Sequence, residues 1–123
     1  MKLRCILAQL AALAWAGTAA FAGNVLQQSE CKHADRHELE KQNAAVSLNT
    51  NSLYLRVHVA SGAICNFSYS LDGAKFLDIG EKLTATPGRW VGAKVGLFSI
   101  SPQLGTEMGN ADFDWFHVNN YSR

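Results

Sequence analysis

The middle of the chain contains two runs in which apolar and polar side chains alternate. In the first run, the apolar residues Leu53, Leu55, Val57 and Val59 alternate with Tyr54, Arg56, His58 and Ala60. The second run follows Ser61-Gly62. In it, Cys65, Phe67, Tyr69 and Leu71 alternate with the polar residues Asn66, Ser68 and Ser70. A period of two is typical of a strand with one buried face, so the pattern predicts two adjacent strands.

Turn-forming residues divide the following part of the chain into further short strands. Asp72-Gly73 predicts a two-residue hairpin turn, in which both central residues have positive φ. Residues 76–79 follow as a short third strand, and the apolar run 90–100 predicts a fourth. Residues 111–118 predict the last strand. Five strands without a strong helix indicate an all-β antiparallel fold.

Residues 29–45 fit two different structures. Asp35 followed by Glu38 has the spacing of a capping box, which predicts a short helix. Residues 25–31 also fit a strand that is followed by a charged turn, and the all-β surroundings favour this second structure. The sequence leaves both alternatives open.

The first 22 residues have the layout of a secretory signal peptide. Lys2 and Arg4 form a positively charged start, an apolar run follows from residue 6 to residue 16, and Ala20-Phe21-Ala22 matches a cleavage pattern. The apolar run is shorter than the roughly 20 residues that cross a bilayer. We therefore expect cleavage after Ala22 and a secreted or periplasmic domain over residues 23–123.

The charge of this domain excludes some classes of partner. The chain has 11 Lys and Arg against 10 Asp and Glu, and removal of Lys2 and Arg4 leaves nine basic residues, a net charge of about −1. Without a basic surplus we expect no nucleic-acid binding. The domain also lacks a second long apolar segment, so we expect no membrane attachment.

Two cysteines remain after the expected cleavage, Cys31 and Cys65. In an oxidising compartment such a pair can form a disulfide, which would add about 3 kcal/mol of stability in the chain-entropy model. Two buried free thiols are the alternative. The spacing alone does not show that the two Cβ atoms meet.

The sequence offers few candidates for catalysis or metal binding. Asp112 and Asp114 lie two residues apart on one strand face, and so point in parallel instead of facing each other across a scissile bond. Cys31, His33 and His37 would share a face only in a helix, and no fourth ligand is evident. We therefore expect no catalytic residues, no metal and no cofactor.

The aromatic candidates for stacking on sugars are Tyr54, Tyr69, Trp90 and Trp115, since the CH faces of sugar rings pack on aromatic rings. Tyr69 and Trp115 share strand faces with apolar residues, which predicts that both belong to the core. Trp90 follows Arg89 at the junction between a loop and a strand. Arg89 and Trp90 are therefore the candidates for contact with a sugar or a partner domain, although the sequence favours core packing for Trp90.

Four segments closely resemble one known domain. They are LYLRVHV (53–59), CNFSYSLDGAKF (65–76), IGEKLTATPGRWVGAKVGLF (79–98) and ADFDWFHV (111–118). The domain is the concanavalin A-like β-sandwich at the C-terminus of glycoside hydrolase family 43 enzymes, the β-xylosidases and α-arabinofuranosidases. The resemblance runs from about residue 27 to residue 118 and implies an antiparallel jelly-roll β-sandwich.

The same resemblance implies that part of the family pattern is missing. In that family the sandwich follows a five-bladed propeller that carries the catalytic carboxylates, and no segment here resembles a propeller. The earlier strands of the sandwich are also not recognisable, so residues 23–123 are expected to form a truncated domain. Half a sandwich would leave one apolar sheet face uncovered, which predicts marginal stability or pairing with a second copy.

These expectations lead to three hypotheses about function. The first is a secreted, non-catalytic accessory or carbohydrate-associated module. By analogy with the family, its binding partners would be xylan-derived or arabinose-bearing oligosaccharides, or a catalytic glycosidase domain. The second is a degenerate structural or interaction domain that binds no sugar and self-associates. The third is a glycosidase, which rests on the family name alone.

Overall fold

The computed structural model of the chain describes residues 2–5, 10–17, 24–32, 36–87, 95–100 and 112–120. Within these ranges the regular elements are β-strands: β1 (Lys2–Cys5), β2 (Leu10–Gly17), β3 (Asn24–Cys31), β4 (Lys41–Leu48), β5 (Tyr54–Ala60), β6 (Ile64–Ser70), β7 (Leu77–Asp78), β8 (Leu83–Thr84) and β9 (Leu97–Ile100). Within the same ranges, no helix has the length and hydrophobicity to cross a membrane.

The strands form two antiparallel sheets. The first sheet has the order β4-β3-β2-β1-β9, and the second has the order β5-β6-β7 with β8 also paired to β6. Strands β5 and β6 are joined by a short turn and pair without interruption from Tyr54↔Ser70 to Ala60↔Ile64. The predicted all-β antiparallel fold is therefore confirmed.

The core lies between the two sheets. Leu26 and Leu48 come from the first sheet and pack in one cluster with residues in or directly after strands of the second sheet: Cys65, Phe67, Tyr69, Ile79, Leu83 and Ala85. Phe67 and Leu26 are fully buried. The sequence predicted that one apolar sheet face would stay uncovered. This prediction is wrong for the inner face of the second sheet, because Leu26 and Leu48 pack against it.

Two strands occupy the part of the chain that the sequence left open. β3 and β4 pair antiparallel over residues 24–48, so the strand alternative is confirmed and the helix is wrong. Asp35, the first residue of the expected capping box, lies outside the described residues. β3 also pairs along its whole length with β2, which belongs to the segment that we expect to act as a signal peptide. Cleavage after Ala22 would remove this neighbour of β3.

The turns differ from the prediction at Asp72-Gly73. Gly73 has φ +77°, but Asp72 does not have positive φ, so the predicted two-residue hairpin turn is wrong. The connection runs over residues 71–76 instead, because the Asp72 side chain bonds to the backbone beyond it. Two consecutive residues with positive φ occur in the turn before β6, at Gly62 (78°) and Ala63 (58°).

The last predicted strand does not form. Residues 112–120 are described without regular secondary structure, and all of them are exposed. Trp115, which we expected in the core, is 56% exposed. The alternation of this segment resembles a strand, but the segment contributes no pairing to either sheet in the described part of the chain.

Candidate functional site: an aromatic platform beside the β6–β7 loop

The loop that follows β6 is held by its own polar groups. Ser70 Oγ donates a hydrogen bond to Asp72 Oδ1 (2.8 Å) and accepts one from the backbone N–H of Gly73 (2.9 Å). Asp72 Oδ1 also accepts hydrogen bonds from the backbone N–H groups of Ala74 and Lys75, each at 2.9 Å. Such bonds from a short polar side chain to its own backbone fix a turn locally.

These donors stabilise the ionised form of Asp72. The backbone N–H of Lys75, then that of Ala74, then the Ser70 hydroxyl lower the pKa of Asp72 to about 2, and the weak effect of desolvation does not offset them. Asp72 is therefore charged at every pH above the acid range. Ser70 lies beneath the loop and is 2% exposed, so the hydroxyl that anchors the loop is protected from solvent.

The loop supports the ring of Tyr54, the first residue of β5. Gly73 faces this ring so closely that a Cβ at position 73 would lie 3.0 Å from Tyr54 Cζ. Tyr54 pairs with Ser70 across β5 and β6, so both side chains lie on the outer face of the second sheet. The position of the ring is thus tied to the polar bonds of the loop.

Two further rings extend this surface. The ring of Trp115 lies 6.2 Å from that of Tyr54, centroid to centroid, at an interplanar angle of 43°. The ring of His117 lies 4.8 Å from that of Trp115, also at 43°. We call Tyr54, Trp115 and His117 the aromatic platform. Because Tyr54 is 37% and Trp115 56% exposed, both rings are accessible from solvent.

A cation lies on the same face of the sheet. The Arg56 guanidinium carbon is 3.4 Å from the centroid of the Phe76 ring, which is the geometry of a cation–π contact. Arg56 is two residues beyond Tyr54 on β5, so the two side chains point to the same face. The stacked guanidinium keeps its hydrogen-bond donors in a fixed plane near the aromatic platform.

A second polar feature lies inside the sandwich. Gln28 is fully buried, and neither its Nε2 nor its Oε1 has a hydrogen-bond partner in the described part of the chain. Gly80 (φ +72°) lies directly against this amide, and a Cβ at position 80 would overlap Gln28 Oε1. The amide is enclosed by protein, so it shapes the core and does not form part of an accessible site.

The two cysteines are free thiols in the structure. Cys31 Sγ donates to the carbonyl of Glu38 (3.1 Å), while Cys65 Sγ lies 3.7 Å from the carbonyl of Ala63. Burial is the main cause that raises both pKa values, and the charges of Glu38 and Glu40 add to the effect at Cys31. Of the two states that the sequence leaves open, the structure has the unbridged one.

The structure separates the other residues that the sequence singled out. Arg89 and Trp90 lie outside the described residues, so their expected contact with a sugar or a partner domain stays a prediction. Asp112 and Asp114 are exposed on the irregular segment 112–120. His33 also lies outside the described residues, and among those described no group of three or more His, Cys, Asp and Glu is arranged to hold a metal ion.

The sequence offered Tyr54 and Trp115 as separate candidates for stacking on sugars, but it did not predict that their rings lie together. Tyr54 occupies the polar face of its strand, where the alternation predicts solvent exposure. Trp115 alternates with charged residues in a way that predicts a core strand. Only the position of segment 112–120 beside β5 brings the two rings together, and a pattern of period two carries no information on that pairing.

Comparisons with known proteins agree with the architecture. Residues 14–119 match the family of the β-xylosidase C-terminal concanavalin A-like domain. A β-xylosidase of Formosa agariphila is 29% identical over 98 residues, which cover 76% of this chain and 16% of that relative. The chain therefore corresponds to a small part of the relative's length. No solved structure matches the chain.

The family match confirms the resemblance that four sequence segments carried, and the two packed antiparallel sheets agree with a sandwich. The match covers most of the chain and includes the strands that form the core, β3 to β8. The chain belongs to the family of β-xylosidase C-terminal concanavalin A-like domains.

Proposed function

We propose that the chain is a non-catalytic accessory domain that associates with carbohydrate of the xylan type. The observation that supports this most directly is the family match over residues 14–119, which concerns the C-terminal domain of β-xylosidases. The resemblance places the catalytic carboxylates of that family in another domain. Fold alone does not determine function, so the proposal also needs a surface that can hold a sugar.

The exposed rings supply such a surface. Aromatic rings that solvent can reach, with hydrogen-bonding groups beside them, are the usual elements of a sugar site. By contrast, a glycosidase needs two carboxyl groups on opposite sides of the scissile bond. Asp112 and Asp114 are two residues apart on one exposed segment, an arrangement that does not favour a catalytic role.

Thermal unfolding of the full-length chain with xylo- and arabino-oligosaccharides tests the proposal. A ligand present at 100 times its Kd adds about 2.7 kcal/mol to the free energy of unfolding, which raises Tm measurably. We expect xylo-oligosaccharides to raise Tm, while cello-oligosaccharides of equal length serve as the matched control. If no sugar raises Tm at millimolar concentration, the carbohydrate proposal is wrong.

An activity assay tests the non-catalytic part of the proposal. We expect the purified chain to leave an aryl β-xyloside and an aryl α-arabinofuranoside unhydrolysed. Turnover that is lost in an Asp112→Asn or Asp114→Asn variant would instead make the chain a glycosidase.

We also propose that the chain is exported. The charged start, the apolar run and the Ala20-Phe21-Ala22 pattern support this, and cleavage would remove β1 and β2. The intact mass of the protein recovered from a Gram-negative periplasm or from a culture medium measures the cleavage. A mature protein that begins at Gly23 is expected, whereas an uncleaved cytoplasmic chain would contradict export.

An interaction domain is the second candidate function, and the exposed apolar residues of the segment 112–120 favour it. Phe116 is 52% and Val118 79% exposed, beside the already exposed Trp115. Contiguous exposed apolar side chains often mark contact surfaces. Sedimentation of the chain over a concentration series would show self-association, which the sugar-binding proposal does not require.

A further inference from the structure

We propose that the aromatic platform of Tyr54, Trp115 and His117 is the surface that holds a xylo-oligosaccharide, and that it contacts two consecutive sugar rings. The inference rests on the proposed function, because it names the site at which an accessory domain of this kind would bind its carbohydrate. It assigns binding to the outer face of the second sheet, whereas the sequence singled out Arg89 and Trp90.

The Tyr54 ring of the platform is held in place before any ligand arrives. Tyr54 rests on Gly73, and Gly73 is fixed by the hydrogen bond from its N–H to the buried Ser70 hydroxyl. Asp72 holds the rest of the loop through two backbone N–H groups. A ring held in this way loses little conformational entropy when a sugar binds, so a larger part of the contact energy contributes to affinity.

The geometry of the rings determines what they can hold. The planes of Tyr54 and Trp115 are inclined at 43°, so a single flat sugar ring cannot stack on both. Two consecutive rings of a chain can do so when neighbouring sugars are rotated relative to each other. An unbranched pentose chain suits such a surface, because each xylose ring offers the axial C–H groups of its face for stacking and carries no exocyclic CH₂OH group at its edge.

The polar groups around the rings are those that sugar hydroxyls require. His117 packs on Trp115 and offers ring nitrogens, while Tyr54 offers its phenolic hydroxyl. The guanidinium of Arg56 lies on the same sheet face, held on the Phe76 ring. Rings interspersed with such donors and acceptors are less suited to a dry protein interface, whose buried centre is depleted of charged residues.

Titration calorimetry of the full-length chain with xylotetraose and with xylose tests the inference. We expect Trp115→Ala and Tyr54→Ala each to raise the Kd for xylotetraose about tenfold or more. We also expect xylose to bind at least about tenfold more weakly than xylotetraose, because one sugar reaches only one ring. Tyr54→Phe and Trp115→Phe, which keep an aromatic ring, should recover most of the affinity.

Two variants serve as controls for the platform substitutions. Phe116→Ala removes a ring with 52% exposure from the same segment, next to the platform residue Trp115, and should leave the Kd within about twofold. Trp90→Ala removes the other aromatic residue that the sequence named as a contact candidate, and it should also leave the Kd unchanged. Thermal melts of all variants identify any that do not fold, and Tyr54→Phe retains a folded comparison if Tyr54→Ala is destabilised.

Failures of the two proposals give different results. If the wild-type chain binds xylotetraose, but Trp90→Ala abolishes binding and Trp115→Ala does not, the chain still binds carbohydrate and the platform is the wrong site. If the wild-type chain binds no sugar, the proposed function itself is wrong and the platform inference is wrong with it. Self-association that Trp115→Ala abolishes, without sugar binding, would assign the platform to a second copy of the chain.

Discussion

The pairs β5–β6 and β3–β4 are both antiparallel, but only one of them is regular. β5 and β6 keep one register over all seven pairs, and β6 directs Cys65, Phe67 and Tyr69 into the core. Between β3 and β4 the register shifts after Gln28, which pairs with Ala44, while Ser29 pairs with Gln42. Asn43 is left without a partner in the ladder, as expected of a β-bulge.

The polar groups without partners are found at the irregular pair. The buried side-chain atoms that lack a hydrogen bond in the described part of the chain are Nε2 and Oε1 of Gln28 and Oδ1 of Asn43. They flank the bulge on its two strands. The β5–β6 side of the sandwich, the regular half, therefore contributes apolar side chains from an uninterrupted ladder. The β3–β4 side, the irregular half, carries buried polar groups that cost stability.

Removal of the central ring of the regular half should have the largest effect. Phe67 is fully buried between the sheets, so Phe67→Ala should lower the free energy of unfolding by about 3–5 kcal/mol, through lost burial and the cavity left behind. Urea denaturation at pH 7 measures the change. Val59→Ala, at a position 53% exposed, is the control and should change stability by about 0.5 kcal/mol or less. A small effect of Phe67→Ala would show that the two sheets do not share this core.

A methyl group at Gly80 should disturb the place where the two halves meet. Gly80→Ala forces an L side chain into positive φ, which costs about 1–3 kcal/mol, and its Cβ also collides with the Gln28 amide. Gly62→Ala provides the matched control, since φ is +78° and the site for a Cβ is open. Gly80→Ala should therefore be the more destabilising of the two in urea denaturation. Equal losses would mean that Gln28 moves aside without cost.

An increase in the free energy of unfolding is expected when a buried polar residue of the irregular half is replaced by an apolar one. Gln28→Met keeps a similar shape and removes two buried polar atoms without partners, so it should raise stability by about 1–3 kcal/mol. Thermal and urea unfolding both measure the gain. Gln27→Met, at the neighbouring half-buried residue that donates to Ser29 Oγ (2.7 Å), should give no such gain. A loss of stability in Gln28→Met would reveal that the amide has a partner in solution.

The smallest expected change in stability comes from Asp72, in the loop after β6, at acid pH. Asp72 has its pKa lowered from 3.8 to about 2, so the folded state binds the proton less tightly than the unfolded state. Its contribution to stability is complete above about pH 5 and is lost as the pH falls towards 2. Urea midpoints between pH 7 and pH 2 measure this fall, which should be shallower in Asp72→Asn.

The sequence predicted the regular half better than the irregular half, for a physical reason. Alternation in β5 and β6 reflects one buried and one exposed face, so both strands are confirmed, as is the core position of Phe67. In β3, Gln28 is buried on one face and Ser29 and Cys31 on the other, so burial does not follow side-chain polarity. The choice between helix and strand there depends on pairing with β2 and β4.

Predictions that depended on distant contacts did worse than those that depended on local chemistry. Asp72-Gly73 correctly marked a turn, but its type follows from the bonds of the Asp72 carboxylate. Segment 112–120 has the alternation of a strand, yet its rings lie on the outside of the second sheet. The platform therefore depends on which segments lie side by side in the folded chain. No local pattern in this sequence predicts that arrangement.

Calorimetric titration of the wild-type, full-length chain with xylotetraose is the decisive experiment for sugar binding at the platform. A saturable heat with one site per chain, which disappears in Trp115→Ala, is the predicted result. The absence of any binding heat up to millimolar sugar, for a chain that unfolds cooperatively, would contradict sugar binding and leave the domain with a structural role.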